Sequence, residues 1–268
     1  MTNNGLKRLT YDARAAAGNK VPTATLGFWG IKVLSTTVGE TGADFLAIHA
    51  GWGQGLTRTV MAALLLGALG FQLRSTRFTP WLYWLTVVTI SVVGTQITDL
   101  LTDGLNISLY ISTAAFAGLL TIIFAVWHRV EGTLAMTSIV TPRRERFYWA
   151  AILCTFALGT AAGDLATEAL GLGFTRGLVI FGGLIVLSGG LWRAGISPVL
   201  CFWSAYILTR PFGAALGDLL TQAQTYGGLG LGALMTSLLF LALIVGLVAI
   251  EQRHLARPSR AAALSSPF

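Results

Sequence analysis

Four stretches of this chain carry a glycine followed five residues later by an aspartate: Gly39 and Asp44, Gly94 and Asp99, Gly159 and Asp164, Gly213 and Asp218. The first reads TTVGETGAD over residues 36–44 and adds Glu40. Three of the aspartates have a second acid four residues away: Glu40 before Asp44, Asp103 after Asp99, and Glu168 after Asp164. On a helix that spacing puts both carboxylates on one face. Grouped oxygen ligands without a thiolate cluster suit hard ions such as Mg²⁺, Ca²⁺ or Mn²⁺ rather than zinc or copper. The same carboxylates bind protons, so metal and proton binding are linked. The expected metal ligands are Glu40, Asp44, Asp99, Asp164 and Asp218, with Thr37, Asp103 and Glu168 completing the ion-binding set. His49, five residues beyond Asp44, is expected to be solvated.

The elements that hold these acids are apolar. The 268 residues are 54% hydrophobic and 11% charged, with a mean hydropathy of +0.71, more apolar surface than a soluble core of this size could cover. Eight spans of helical length stand at about 26–48, 57–73, 80–103, 106–127, 147–170, 174–192, 198–221 and 228–250, giving an all-α membrane protein. A 26–250 membrane domain is thus flanked by segments 1–25 and 251–268. Lys7, Arg8, Arg14 and Lys20 precede the first span. Arg74, Arg77, Arg129, Arg143, Arg144, Arg146 and Arg193 fall in alternate loops, and Arg253, Arg257 and Arg260 in the tail. With eight crossings all lie on one side, which places both termini in the cytoplasm. Trp29, Trp81, Trp84, Trp127, Trp149, Trp192 and Trp203 gather at the same ends, as an interfacial aromatic belt would. The first twenty residues lack the apolar stretch of a cleaved signal peptide.

The acids recur because the chain repeats. FWGIKVLSTTVGETGADFL from Phe28, YWLTVVTISVVGTQITDLL from Tyr83, YWAAILCTFALGTAAGDLA from Tyr148 and FWSAYILTRPFGAALGDLL from Phe202 align without a gap. Each opens on an aromatic–Trp pair and reaches its glycine eleven residues on. Further, GQGLTRT at 53–59 resembles GLGFTRG at 171–177, pairing the first unit with the third. Four two-helix units follow, at about 26–78, 80–128, 146–193 and 198–250. Each starts and ends on the same side, so the repeats are parallel rather than inverted.

A carboxylate at the bilayer centre costs about 2.5–3.5 kcal/mol on insertion scales, so these side chains should turn inward and find partners. Lys32, Arg58, Arg176 and Arg210 are the cations available within or beside the spans, as structural ion pairs. Seven acids in the odd-numbered spans outnumber them by three. A bound cation, or protons, would answer that excess. The glycines before each aspartate would permit close helix contact or local unwinding.

TTVGETGAD and the later G-x4-D units, TRPFGAALGDLL most of all, resemble the bacterial membrane proteins built from a tandem repeat of unknown function. The resemblance covers all but the two tails. It implies a multi-pass protein of the bacterial inner membrane that handles metal cations, manganese among them, and exports rather than imports them. Only the first unit has the Glu40 acid and only the fourth the Arg210–Pro211 pair, so the copies have diverged in role.

No phosphate-binding G-x4-GK[ST], no H-E-x-x-H and no G-x-S-x-G occurs, which argues against ATP-driven transport and against an enzyme. The two cysteines, Cys154 and Cys201, lie apart in apolar stretches and read as packing residues. The basic excess is placed by membrane topology rather than for nucleic acid. The expected function is secondary transport of a divalent cation coupled to protons. No cofactor is covalently bound, and the bilayer, the cation and protons are the partners. The alternatives are an ion channel, or a structural or sensory membrane protein whose acids only form ion pairs.

Overall fold

The computed structural model describes residues 18–256, so the outer parts of the 1–25 and 251–268 segments lie outside the described residues, with Lys7, Arg8, Arg14, Arg257 and Arg260. Eight long helices account for the fold: α1 (Leu26–Asp44), α2 (Gly53–Arg74), α3 (Pro80–Asp99), α4 (Leu109–Glu131), α5 (Pro142–Asp164), α6 (Gly173–Arg193), α7 (Pro198–Thr221) and α8 (Ala233–Ala256). Proline opens α3, α5 and α7, where its missing N–H is not needed. α1 is capped by the Thr25 hydroxyl, which accepts from the Phe28 amide at 3.2 Å. The last seven helices are long and apolar enough to cross a membrane. α1 matches them in length but carries Lys32, Glu40 and Asp44.

The odd-numbered helices form an inner ring. α1 packs on α3, α3 on α5, α5 on α7, and α7 back on α1. The repeated glycines make the closest contacts, and they do so in one rotational sense. Gly39 lies on Ser91, Gly94 on Phe156, Gly159 on Arg210, and Gly213 on Thr36. Each glycine therefore meets the next unit three residues before that unit's own glycine. A Cβ on Gly94 would stand 2.7 Å from the Phe156 Cβ, and one on Gly159 would stand 2.5 Å from the Arg210 Cβ. The missing side chain thus sets the interhelical distance, as in small-residue membrane packing. Two hydroxyls cross the same seams: Thr98 donates to the Ala157 carbonyl and Thr36 to the Thr209 carbonyl, each at 3.1 Å.

A second ring closes the helix N-terminal end. The first aromatic of each unit meets the tryptophan of the next: Phe28 with Trp84 at 5.6 Å between centroids, Tyr83 with Trp149 at 5.4 Å, Tyr148 with Trp203 at 6.2 Å, and Phe202 with Trp29 at 5.6 Å. The Tyr83 and Tyr148 hydroxyls share a hydrogen bond of 2.6 Å. This collar corrects the expected aromatic belt. Trp84, Trp149 and Trp203 are buried in the core, and so is Trp127, stacked on Phe147. Trp81 and Trp192 remain exposed on the outside. The aromatic–Trp pairs recur because they build a ring, whereas a belt would need no fixed register.

The even-numbered helices form the outer layer, each lying chiefly along the inner helix of the following unit. α2 covers α3, α4 covers α5, α6 covers α7, and α8 returns to cover α1. On the collar side, Glu145 is fully buried, ion-paired to Lys20 and accepting from Gln72 at 3.1 Å. Glu131 receives Arg143 and Arg144 at 2.5 and 2.7 Å and ties the end of α4 to the start of α5.

Three of the four inner helices widen immediately after the repeated aspartate. A π-helical turn spans Phe45–His49, Leu100–Gly104 and Leu165–Ala169. Its signature is the Ala50 amide on the Phe45 carbonyl at 2.8 Å and the Leu170 amide on Leu165 at 2.9 Å. Such turns insert one residue per turn and concentrate at functional positions. α7 stays α-helical through Asp218, with Pro211 inside it. The turns also correct the pairing of GQGLTRT with GLGFTRG. The positive-φ glycines are Gly51 and Gly53 in the first unit and Gly171 and Gly173 in the third. Gly51 and Gly171 each stand seven residues beyond their aspartate, so the structural match is displaced by two residues from the sequence match.

Candidate functional site

Counting in fours back from each aspartate gives one stripe per inner helix: Lys32, Thr36, Glu40, Asp44 on α1; Val87, Ser91, Thr95, Asp99 on α3; Ile152, Phe156, Thr160, Asp164 on α5; Tyr206, Arg210, Ala214, Asp218 on α7. Residues four apart share a helical face, and the glycine contacts hold the four helices in a common register. The stripes therefore stack as four layers of four. From the collar outwards they are Lys32–Val87–Ile152–Tyr206, Thr36–Ser91–Phe156–Arg210, Glu40–Thr95–Thr160–Ala214, and the four aspartates.

The first two layers are buried throughout, and so are Thr95, Thr160 and Ala214 in the third. Access begins at Glu40, whose side chain is 12% exposed. In the acidic layer Asp44, Asp99 and Asp164 are partly exposed, and Asp218 is 9% exposed. The axis is thus a blind vestibule, acidic at its mouth and sealed towards the collar. Asp99, Asp164 and Asp218 each lie in the field of Glu40, and Asp164 also feels Asp99 and Asp218. The repeated aspartates of all four units therefore converge closely enough to repel one another. Among the described residues no three His, Cys, Asp or Glu groups are close enough to hold one metal ion jointly. The mouth suits an ion that keeps part of its water shell, as Mg²⁺-like ions do.

Arg210 closes the vestibule floor. Its guanidinium is 1% exposed and donates to Glu40 Oε2 at 2.7 Å, to the Thr36 carbonyl at 2.9 Å, and to the Thr95 hydroxyl. Three units thus meet on one side chain, and the only Glu in the repeat motif is the partner of the only Arg. One layer deeper lies Lys32, also 1% exposed and with no hydrogen-bond acceptor among the described residues. Its ammonium sits 3.8 Å from the Phe156 ring centroid and 4.2 Å from that of Tyr206. Arg210 shares Phe156, its guanidinium carbon 5.9 Å from the ring. Cation–π attraction of this kind is worth about 2 kcal/mol or more when desolvated.

Several expected roles change. Of the four cations taken as structural ion pairs, Arg210 pairs with Glu40. Lys32, Arg58 and Arg176 have no carboxylate within 4.0 Å among the described residues. Lys32 is held by ring faces, and Arg176 is exposed at the start of α6. Thr37 does not offer its hydroxyl to the vestibule: it is buried, donates to the Val33 carbonyl at 3.2 Å, and packs on Gly217. Asp103 and Glu168 fall inside the widened turns and are exposed at the rim, where Asp103 still lies in the field of Asp99 and Glu168 in that of Asp44, Asp164 and Asp218. His49 is exposed, as expected. Phe156 and Tyr206 were absent from the sequence-based site. The signal for them was the same four-residue step, extended below the glycine instead of stopping at the acids.

Segments 27–78, 82–133, 147–194 and 201–254 each match one family model, described as Repeat of Unknown Function (DUF347). No curated protein and no solved structure matches the chain.

Proposed function

Because this chain belongs to the Repeat of Unknown Function (DUF347) family, we propose its function from geometry: a secondary transporter that exports a divalent cation of the manganese class across the bacterial inner membrane. The observation that carries the proposal is the layer of four aspartates at the open end of a ring whose other layers are closed. A site of hard oxygen ligands, with no thiolate in it, selects hard dications. All eight helices cross the membrane in this reading. α1 can do so despite its charges because Lys32, Glu40 and Asp44 face the ring axis and other helices cover the rest. The basic loops lie at the collar end, so the collar faces the cytoplasm and the acidic mouth faces outward.

Sealed layers and two buried cations on the axis favour a carrier over an open channel, because a continuous hydrated path is what a channel requires. Export needs a second state in which the acidic layer is reached from the collar side. The Arg210–Glu40 pair gives that exchange a natural pivot: an ion arriving at Glu40 replaces the guanidinium as counter-charge. The same pair also supports the alternative of a non-transporting protein whose acids order its helices.

The test is metal movement in proteoliposomes holding purified protein, followed with a Mn²⁺-quenched dye trapped inside. Asp164→Asn and Asp218→Asn should each abolish Mn²⁺ flux while the detergent-solubilised variants remain folded and monodisperse. Equal flux in the wild type and both variants would remove the acidic layer from the mechanism. No flux in any protein, together with no thermal shift by Mn²⁺, Mg²⁺ or Ca²⁺, would favour the structural alternative.

A further inference from the structure

Lys32 is not used by the cation site as described, yet it is the most unusually placed charge in the molecule. It is buried, has no acceptor among the described residues, and lies on the two rings of Phe156 and Tyr206. A buried cation without a hydrogen-bond partner is costly, and here only two ring faces offset the cost. Its neighbour on the shared Phe156 ring, Arg210, has a carboxylate, and that carboxylate is the innermost acid of the vestibule. The titratable and charged groups facing Lys32 from the packed helices are Arg210 and Tyr206 on α7. Beyond Tyr206 stand the hydrogen-bonded Tyr83 and Tyr148 hydroxyls on α3 and α5, and Glu251 of α8, held by the Trp84 indole at 2.9 Å. None of these supplies Lys32 with a counter-ion.

We infer that Lys32 is the proton-coupling residue of this protein: a divalent cation that takes Glu40 from Arg210 drives the release of one proton from Lys32. The inference rests on the cation site proposed above. When the metal ion binds the Glu40 carboxylate, Arg210 loses its anionic partner and two unneutralised cations share Phe156. Arg210 cannot give up its charge, since a guanidinium does not deprotonate in proteins. Lys32 can. The ammonium N–H bond breaks, its electron pair stays on Nζ, and the proton passes to water. The uncharged amine keeps its place on the two rings, and one positive charge has left the core in exchange for the dication. Removal of the ion reverses each step: Glu40 takes back Arg210, and Lys32 takes up a proton. Binding of metal and of proton are then mutually exclusive through residues two layers apart, which is the requirement for antiport.

The experiment is calorimetric titration of Mn²⁺ into the detergent-solubilised full chain at near-neutral pH, in buffers of differing ionisation enthalpy, which yields protons released per ion bound. Wild type should release one proton more per Mn²⁺ than Lys32→Met, whose unbranched thioether suits the aromatic rings. Lys32→Arg, which keeps the charge but cannot titrate, should show the same loss of one proton and guards against a folding defect in the Met variant. Equal proton release in wild type and Lys32→Arg overturns the inference while leaving the cation site standing. Absence of Mn²⁺ binding in the wild type removes the cation site itself, and the coupling with it.

Discussion

Glu40→Gln tests the vestibule floor most directly. Arg210 is fully enclosed, and Glu40 carries its only ionic contact among the described residues. Breaking one partner of a buried ion pair costs about 3–5 kcal/mol. Two features of this pair reduce that. The glutamine carbonyl can still accept the 2.7 Å bond, and Arg210 keeps the Thr36 carbonyl and the Thr95 hydroxyl. The loss is then mainly of charge compensation, about 2–3 kcal/mol. Arg210→Met leaves the opposite orphan, but Glu40 reaches water through the vestibule, so its cost should be smaller, about 1–2 kcal/mol. The double variant removes both charges and should be no less stable than Glu40→Gln alone, giving a coupling energy of about 1–2 kcal/mol. Reversible unfolding in mixed micelles, followed by tryptophan fluorescence from the collar, measures all four corners of the cycle. Strict additivity of the two single changes would show that the pair contributes nothing as a pair, and the account of the floor would fail.

The glycine seams predict a sharp positional contrast: Gly94→Ala should cost about 1–3 kcal/mol by overpacking onto Phe156, while Gly67→Ala, with open space around it on α2, should be neutral or slightly stabilising in the same unfolding assay. Collar closure predicts that Trp84→Ala, which empties a site between Phe28 and Tyr83, destabilises by about 3–5 kcal/mol. In contrast, replacing exposed Trp192 with alanine should leave the unfolding midpoint nearly unchanged. Glu145→Gln strands the buried Lys20 ammonium and should loosen the collar-side loops, read as faster proteolysis there, whereas an unchanged digestion pattern would show that the pair holds nothing in place.

How much of this was legible in the sequence follows from what each feature depends on. The gap-free repeat of aromatic–Trp, glycine and aspartate specified four equivalent helices, because residue spacing along a helix is a local property. The ring needed more: which unit touches which is a tertiary fact. The tryptophans were therefore read as a lipid-facing belt although Trp84, Trp149 and Trp203 turn inward. Asp103 and Glu168 follow their aspartates at α-helical spacing, but each sits in a π turn that begins right after the aspartate, and both stand at the exposed rim of the acidic cluster rather than inside it. No local residue pattern announced those turns. Lys32 was expected to seek a carboxylate, since an unpaired lysine in a membrane span is costly. The rings that hold it come from two other helices, 124 and 174 residues further along the chain. The Arg210–Glu40 pair was half legible: Arg210 was expected to pair with an acid, but only the ring's rotational sense selects Glu40.

The overlap of each outer helix onto the following unit makes the chain a circle in all but its covalent bonds. With α8 lying on α1, the junction between fourth and first units is built like the other three and merely lacks a connecting loop. A circular permutant that starts at the second unit, with a linker joining the old ends, should assemble the same ring. Each position in the circle is occupied once, so the four copies are free to diverge one by one, as Glu40 and Arg210 have done.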